Sequence, residues 1–436
     1  NPSHNCFHIN YLHYKNSCGW YYKKFNLSLE SLKSERVLLR FDGVYMDSTV
    51  YINNQKVGDW KYGYSAFTMD ITNELRIGEN NVLVQVRHQS PNSRWYSGAG
   101  IYRNIWIKEC ARTYLPLDGT YVSTYKQGDD FFIEVETEVS GQITNDIVCH
   151  YSLWQKEELI MDFGPRNVIS KDADIDESNV IYSNNTLNQC MYSSMQELIT
   201  KPKIWDIESP ECYELLVELY DLSNAERLDD QKITIGFRTM VFDPVQGFLL
   251  NGRSVKVHGA CEHHDFGCLG AAFYKEAMRR KFKLLREMGV NALRTSHNMP
   301  AKELMELADE MGFLIVNEAF DMWERKKTEY DYARFFSEWA QKDVNSWIRR
   351  DRNHPSLMLW SIGNEIYDTH ADESGQEITK RLITWVRKHD PKANALITIG
   401  SNYMPWENAR KCADIVKIAG YNYAEKYYKS HHTEYK

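Results

Sequence analysis

The chain has 436 residues, a formal net charge of −8 and 26% charged residues, with 43% hydrophobic residues of which aromatics are a large share. At ~100–200 residues per domain this length predicts two to four domains, each able to bury its own core. The mild acidic excess excludes a dedicated nucleic-acid binder, which carries a basic surplus, and no apolar run approaches the ~18–20 residues that span a bilayer.

The first residues, Asn1-Pro2-Ser3-His4-Asn5, carry no charged-then-apolar leader pattern, so no signal peptide is expected. Nine widely spaced cysteines, an odd number with no C-x-x-C, predict reduced thiols and a cytoplasmic setting rather than a disulfide framework or a zinc ribbon. Residues 1–112 read as all-β. Arg36–Phe41 and Ser48–Ile52 are strand runs, and Asn53-Asn54 turns the chain toward Lys56-Val57-Gly58. Asn80–Arg87 alternates with period two, and Tyr102–Ile107 closes the stretch. Short alternating strands with Gly, Asn and Asp turns predict a β-sandwich or jelly roll.

Residues 113–241 continue as β. Phe131–Val139 and Cys212–Tyr220 are alternating strands, and Lys232–Arg238 ends the module. The acidic, polar stretch 171–185 reads as an inserted loop of a small sandwich.

From 242 onward apolar β runs alternate with helical segments. The strand candidates are Val255–Gly259, Asn291–Thr295, Phe313–Val316, Leu357–Ile362, Ala395–Ile399 and Ile415–Ala419. Helices are predicted over Lys275–Met288, Ala301–Met311, Tyr332–Arg350 and Gln376–Lys388, with Gly289 and Gly312 placed as C-caps of the first two. Unbroken apolar strands fit parallel strands buried on both faces. The repeated β/α unit means a doubly wound sheet or a TIM barrel.

The strongest local feature is Asp351-Arg352-Asn353-His354-Pro355-Ser356-Leu357-Met358-Leu359-Trp360-Ser361-Ile362-Gly363-Asn364-Glu365. A helix ends, His354-Pro355 breaks it, and an apolar strand delivers Asn364-Glu365 past its C-terminal end, where parallel α/β folds keep their catalytic groups. A solvated loop pair is the ordinary alternative for such residues.

This stretch closely resembles the acid/base segment of glycoside hydrolase family 2, which includes β-galactosidases, β-glucuronidases and β-mannosidases. Two further segments carry the resemblance: Asn291-Ala292-Leu293-Arg294-Thr295-Ser296-His297-Asn298-Met299-Pro300, and Arg94-Trp95-Tyr96-Ser97-Gly98-Ala99-Gly100-Ile101-Tyr102-Arg103. The four-residue His297–Pro300 form, one longer than the common His-Tyr-Pro, is similar to galactosidase-like members. The resemblance covers nearly the whole chain and is weakest over 140–210. It implies a jelly-roll sugar-binding domain, an immunoglobulin-like β-sandwich and a (β/α)8 TIM barrel.

By this resemblance Glu365 is the general acid/base of a retaining exo-β-glycosidase acting on terminal β-D-galactosides. Asn364 is the residue that meets the sugar 2-hydroxyl, and His263, Asp265 and His297 belong to the substrate pocket. Arg294 is implied to organise the carboxylates, and Tyr423 to bond the nucleophile. A structural histidine remains the alternative for His263. The family's nucleophile follows the seventh barrel strand. The roughly 190 residues from Asp243 to Lys436 fall short of the ~250 of a closed barrel, so the barrel is expected to be truncated and the nucleophile to lie past Lys436. Glu318 is then a supporting residue rather than the second carboxylate.

No cofactor is required. Some galactosidases of the family use Mg²⁺ beside the acid/base, but the expected ligands are not found in Ala319-Phe320-Asp321-Met322-Trp323-Glu324. The implied partner is a β-galactoside or related oligosaccharide, with no nucleic acid and no membrane, and a homo-oligomer is compatible with the family. The rival readings are a β-glucuronidase of the same family, a non-catalytic sugar-binding protein, and, less favoured, a purely structural β-sandwich protein.

Overall fold

The computed structural model describes residues 16–27, 35–169, 180–182 and 190–435. The N-terminal part is a sandwich of two four-stranded sheets. One runs, in spatial order, Asn16–Leu27, Gly78–Gln89, Ser48–Ile52 and Gln55–Trp60; the other runs Val180–Tyr182, Phe67–Asp70, Arg36–Phe41 and Ile105–Cys110. Alternation along these strands sends Phe41, Val50, Trp60, Phe67, Met69, Val84 and Val86 into one core. Asn53 and Asn54 both take positive φ, as a two-residue hairpin turn requires. Most of the inserted stretch 171–185 lies outside the described residues. Its 180–182 portion pairs in parallel with Phe67–Asp70 of the first sandwich.

A second sandwich follows. Asp130–Gly141 pairs with Thr113–Tyr114, Thr120–Gln127 and Cys190–Ile199. The facing sheet runs Glu158–Asn167, Ile147–Gln155, Tyr213–Asp221 and Glu226–Ile235. Ile133, Val135, Tyr151, Leu153, Leu215, Val217 and Phe237 fill the space between them.

The remaining chain forms a six-stranded sheet whose spatial order is the sequence order, every pair parallel. Its strands are β1 (Gly259–Glu262), β2 (Ala292–Thr295), β3 (Leu314–Glu318), β4 (Leu357–Asn364), β5 (Leu396–Ser401) and β6 (Ile418–Tyr421). The connecting helices are α1 (Lys275–Glu287), α2 (Lys302–Met311), α3 (Ala333–Asp351), α4 (Ser374–His389) and α5 (Glu407–Val416). Strict neighbour order is barrel topology; a doubly wound sheet would reverse it.

Two strands differ from the sequence expectation. β1 begins at Gly259, where Val255–Gly259 was expected, because Val255 packs with Trp205, Phe248, Leu250 and Met358 beneath the barrel instead of joining the ladder. The expected sixth strand, Ile415–Ala419, overlaps the end of α5, whose Ala409, Cys412, Ala413 and Val416 form one buried helical face. The thiols of Cys18, Cys110, Cys149, Cys212, Cys261, Cys268 and Cys412 are free. Among the described residues no helix is long and apolar enough to cross a membrane.

The modules are locked to the barrel by buried polar contacts. From the first sandwich, the Tyr62 hydroxyl donates to Ala319 O (2.5 Å), the Ser65 hydroxyl to Asp343 Oδ1 (2.5 Å), and Arg103 Nη2 to Met299 O (2.9 Å). From the second, Trp205 Nε1 donates to Asp309 O (2.9 Å). The Asp309 carboxylate in turn holds His354 Nδ1 (2.5 Å) and the Ser356 amide (3.1 Å). The His354-Pro355 break at the foot of β4 is thereby fixed, and with it the register that delivers Asn364-Glu365 at the top.

Candidate active site

β4 ends in a bulge. Ser361 pairs with Thr398 and Asn364 with Gly400, so three steps on β4 oppose two on β5. Gly363 permits it: a Cβ there would stand 2.6 Å from Ile366 Cγ1 and 3.1 Å from Trp323 Nε1. The next residue but one, Glu365, adopts a left-handed backbone (φ 48°), held by its amide donating to Gly400 O at 2.7 Å. Such a conformation costs a non-glycine residue ~1–3 kcal/mol and concentrates at functional sites. Here it turns the Glu365 carboxylate, 13% exposed, toward an open cleft of about 390 Å³ at the C-terminal ends of the strands.

Arg94, Trp95, His263, Arg294, His297, Asn364, Glu365, Asn422 and Tyr423 line this cleft together with Cys261 and Ser296. Among the described residues, Glu365 is therefore its only carboxylate. Asn422 Nδ2 donates to Glu365 Oε1 (3.1 Å) and to Asn364 Oδ1 (2.9 Å), and Arg94 Nη1 stands 3.8 Å from Glu365 Oε2. Asn364 is pinned on three sides: its Oδ1 also accepts from Arg294 Nη2 (2.7 Å), and its Nδ2 donates to Asp321 Oδ1 (2.8 Å). An amide nitrogen has two hydrogens, so one remains for a ligand.

Glu318 lies at the end of β3 with a fully buried side chain. Its oxygens are occupied by Arg294 Nε (2.9 Å), His297 Nδ1 (2.6 Å) and the Ser361 hydroxyl (2.6 Å). Burial alone would raise its pKa, but Arg294, then His297 and Ser361, outweigh that and hold it below the ordinary carboxylate range. An ionised Glu318 requires the proton on His297 Nδ1, which leaves Nε2 as the second hydrogen-bonding atom of that ring. Glu318 is thus an anchor for Arg294 and His297, not a free nucleophile.

The His263 and His297 rings meet edge-on at 5.7 Å, and Trp95 stands 5.7 Å from His263 and 5.8 Å from His297. Burial, then the neighbouring His297, lowers the His263 pKa, so this ring is neutral at pH 7. Asp265 departs from its expected place. It is not a lining residue of the cleft, and its Oδ1 accepts from the Gly267 amide (2.9 Å) to close a local turn. Arg294 lines the cleft, yet its bonds go to Glu318 and Asn364. Tyr423 sits at the rim, 87% exposed.

Sequence reasoning missed the contribution of Arg94 and Trp95 to this cleft. Arg94 grips Asp321 with two bonds (2.9 and 2.6 Å), and Trp95 Nε1 donates to the Tyr64 hydroxyl at 3.0 Å. The run Arg94–Arg103 was visible as a motif, but nothing local says that it reaches the barrel. Asp321, Lys327 and Asn422 were also missed. The Lys327 ammonium lies 2.9 Å from Asp321 Oδ1 and donates to Asn364 O at 2.8 Å. These residues do not fit the magnesium ion used by some family members. Arg94 and Lys327 already balance the Asp321 carboxylate, and among the described residues no group of three His, Cys, Asp or Glu is placed to hold a metal.

Comparison with known proteins follows the same division into N-terminal sandwich and barrel. Residues 5–110 match the family described as "Glycosyl hydrolases family 2, sugar binding domain", and residues 243–435 match "Glycosyl hydrolases family 2, TIM barrel domain". The chain is 37% identical to Beta-galactosidase BoGH2A of Bacteroides ovatus, over 94% of this chain and 50% of that protein. It is 27% identical to a Beta-glucuronidase of Bacteroides fragilis, over 87% of this chain and 54% of that protein. A crystal structure of a glycosyl hydrolase family 2 member from Bacteroides cellulosilyticus superposes with a TM-score of 0.86 at 32% identity, covering 96% of this chain and 52% of that one. The chain spans about half the length of these proteins.

Proposed function

Because the chain belongs to glycoside hydrolase family 2, we propose that the full-length protein is a retaining exo-β-glycosidase that removes terminal β-D-galactosyl groups, with Glu365 as its general acid and base. The observation that carries this reading is the single carboxylate that the described residues present to the cleft, beside a triply pinned Asn364. In the first step the Glu365 carboxyl gives its proton to the glycosidic oxygen as the bond to the anomeric carbon breaks. In the second, the Glu365 carboxylate takes a proton from the water that releases the sugar. The remaining Asn364 Nδ2 hydrogen donates to the sugar 2-hydroxyl, a contact that strengthens as the oxocarbenium-like transition state forms. Rigid pinning by Arg294, Asn422 and Asp321 places this donor in advance. His297 Nε2 and the neutral His263 ring supply further contacts to hydroxyls.

Retention requires a second carboxylate, and the reading assigns it to none of those described. Glu318 has its oxygens taken, and Asp321 is balanced by Arg94 and Lys327. The nucleophile is therefore placed outside the described residues, in the full-length protein. The galactoside preference rests on the His297-Asn298-Met299-Pro300 form and on the likeness to a β-galactosidase. A β-glucuronidase is the second reading, favoured by the likeness to a protein of that name. The test is hydrolysis of nitrophenyl β-galactoside and nitrophenyl β-glucuronide by the full-length protein. The galactoside is expected to have the larger kcat/KM. A preference for the glucuronide removes the galactosidase assignment, and turnover of neither removes both assignments.

A further inference from the structure

The rim beside Glu365 carries an aromatic surface that the cleft does not use. Tyr367, two residues after Glu365, is 47% exposed, and in the loop after β5 Tyr403 is 36% and Trp406 51% exposed. Their rings gather around His370. Its ring lies 4.2 Å from Tyr403, 5.8 Å from Trp406 and 6.3 Å from Tyr367, and Tyr403 and Trp406 are 4.6 Å apart. Burial, then the Lys327 charge, lowers the His370 pKa to about 4, so the ring is neutral at pH 7. Its Nε2 is buried and has no hydrogen-bond partner among the described residues. Three half-open rings around an uncharged imidazole form an apolar platform with polar atoms at its edges.

This platform is tied to the acid. Glu365 is anchored to Gly400, and one residue on, the Ser401 hydroxyl accepts from the Tyr403 amide at 3.2 Å. Lys327, bonded to Asn364 O, lies 5.7 Å from the centre of the Tyr367 ring. None of the four aromatic residues lines the cleft that holds Trp95, His263, Arg294 and His297. A general acid must touch the oxygen joining the two halves of its substrate. With the glycone in the cleft, the leaving group passes to the other flank of Glu365.

We propose that Tyr367, His370, Tyr403 and Trp406 form the leaving-group subsite, a stacking platform for the flat C–H face of a second sugar ring. The proposal rests on Glu365 being the acid. A sugar suits the surface better than an aryl group: its C–H face packs on the rings, while its hydroxyls meet the tyrosine hydroxyls at the edges. The substrate is then an oligosaccharide, attacked at its non-reducing end.

The test compares wild type, Trp406→Ala and Trp406→Phe in the full-length protein. Substrates are a β-linked disaccharide, a methyl β-glycoside and a nitrophenyl β-glycoside that share one glycone. For Trp406→Ala, the ratio of kcat/KM on the disaccharide to that on the methyl glycoside is expected to fall about tenfold, and the Phe variant to recover most of it. A ratio within about twofold of wild type overturns the subsite while leaving Glu365 as the acid. A loss confined to the nitrophenyl glycoside overturns the sugar in favour of an aryl group. A wild type inert on all three substrates sinks the proposed function and the subsite together.

Discussion

Replacing Glu318 by Gln tests the idea that a buried carboxylate organises the cleft without reacting. Glu318 is fully buried, and three donor groups converge on it: the Arg294 guanidinium, His297 Nδ1 and the Ser361 hydroxyl. Gln keeps the shape but removes the charge and turns an NH2 group toward donors. Removing one partner of a buried ion pair costs ~3–5 kcal/mol. Arg294 is 21% exposed and keeps Asn364 Oδ1, so the lower end, about 3 kcal/mol, applies here. At ~2–4 °C per kcal/mol for a unit of this size, the melting temperature of the catalytic domain falls by about 6–12 °C. Arg294 also loses the anchor that fixes Asn364, and a displacement of ~1 Å at such a site costs on the order of 100-fold in rate. The assay is calorimetry of the full-length protein together with kcat/KM on a nitrophenyl glycoside. Added azide should restore no activity, because the Glu318 oxygens are already taken by Arg294, His297 and Ser361. A melting temperature within about 1 °C of wild type, with undiminished kcat/KM, refutes the reasoning. So does azide rescue.

Asp343, buried between the first sandwich and α3, accepts from Ser65 and from the Tyr332 hydroxyl, and burial pushes its pKa up to about 7. The native state keeps this proton between about pH 4 and 7, where the unfolded chain has lost it. The stabilisation is complete at the acid end and is lost as the pH rises toward 7. Asp343→Asn, neutral and of equal size, should flatten that decline by about 3 kcal/mol between pH 5 and 8 in denaturation curves. Curves parallel to wild type contradict the assignment. Gly236→Val places a Cβ 2.7 Å from Pro355 Cβ and 2.9 Å from Trp205 Cβ, at the contact between the second sandwich and the foot of β4. It should destabilise the protein by about 1–3 kcal/mol in a thermal melt, and a Val variant as stable as wild type would show that the contact yields.

The Asn364-Glu365 end of the cleft was legible because it is local. His354-Pro355, an apolar strand and Gly363-Asn364-Glu365 are consecutive, and each has a physical role that its residue type announces. Arg294, Asn364 and His297 were assigned to the same neighbourhood and meet there, with Arg294 acting on side chains rather than on the cleft. Asp265 was misplaced because its neighbours in sequence, His263 and His264, diverge: His263 enters the cleft, while the His264 ring reaches Ser97 O at 3.1 Å. Arg94 could not be read, because its partner Asp321 stands 227 residues away and only the packing of sandwich on barrel joins them. β1 was placed too early because Val255 and Val257 signal burial without saying against what. Their apolar alternation belongs to the seal under the barrel, and the strand itself is the short, mixed Gly259-Ala260-Cys261-Glu262.

The central claim is that Glu365 supplies and then recovers the proton. Leaving-group dependence in Glu365→Ala of the full-length protein tests it most directly. The account predicts a fall of about 10²–10⁴-fold on a methyl glycoside, whose oxygen departs only when protonated. A dinitrophenyl glycoside needs no proton to depart, so its first step should persist, and azide should accelerate release of the sugar. Hydrolysis of the methyl glycoside at the wild-type rate would contradict the account.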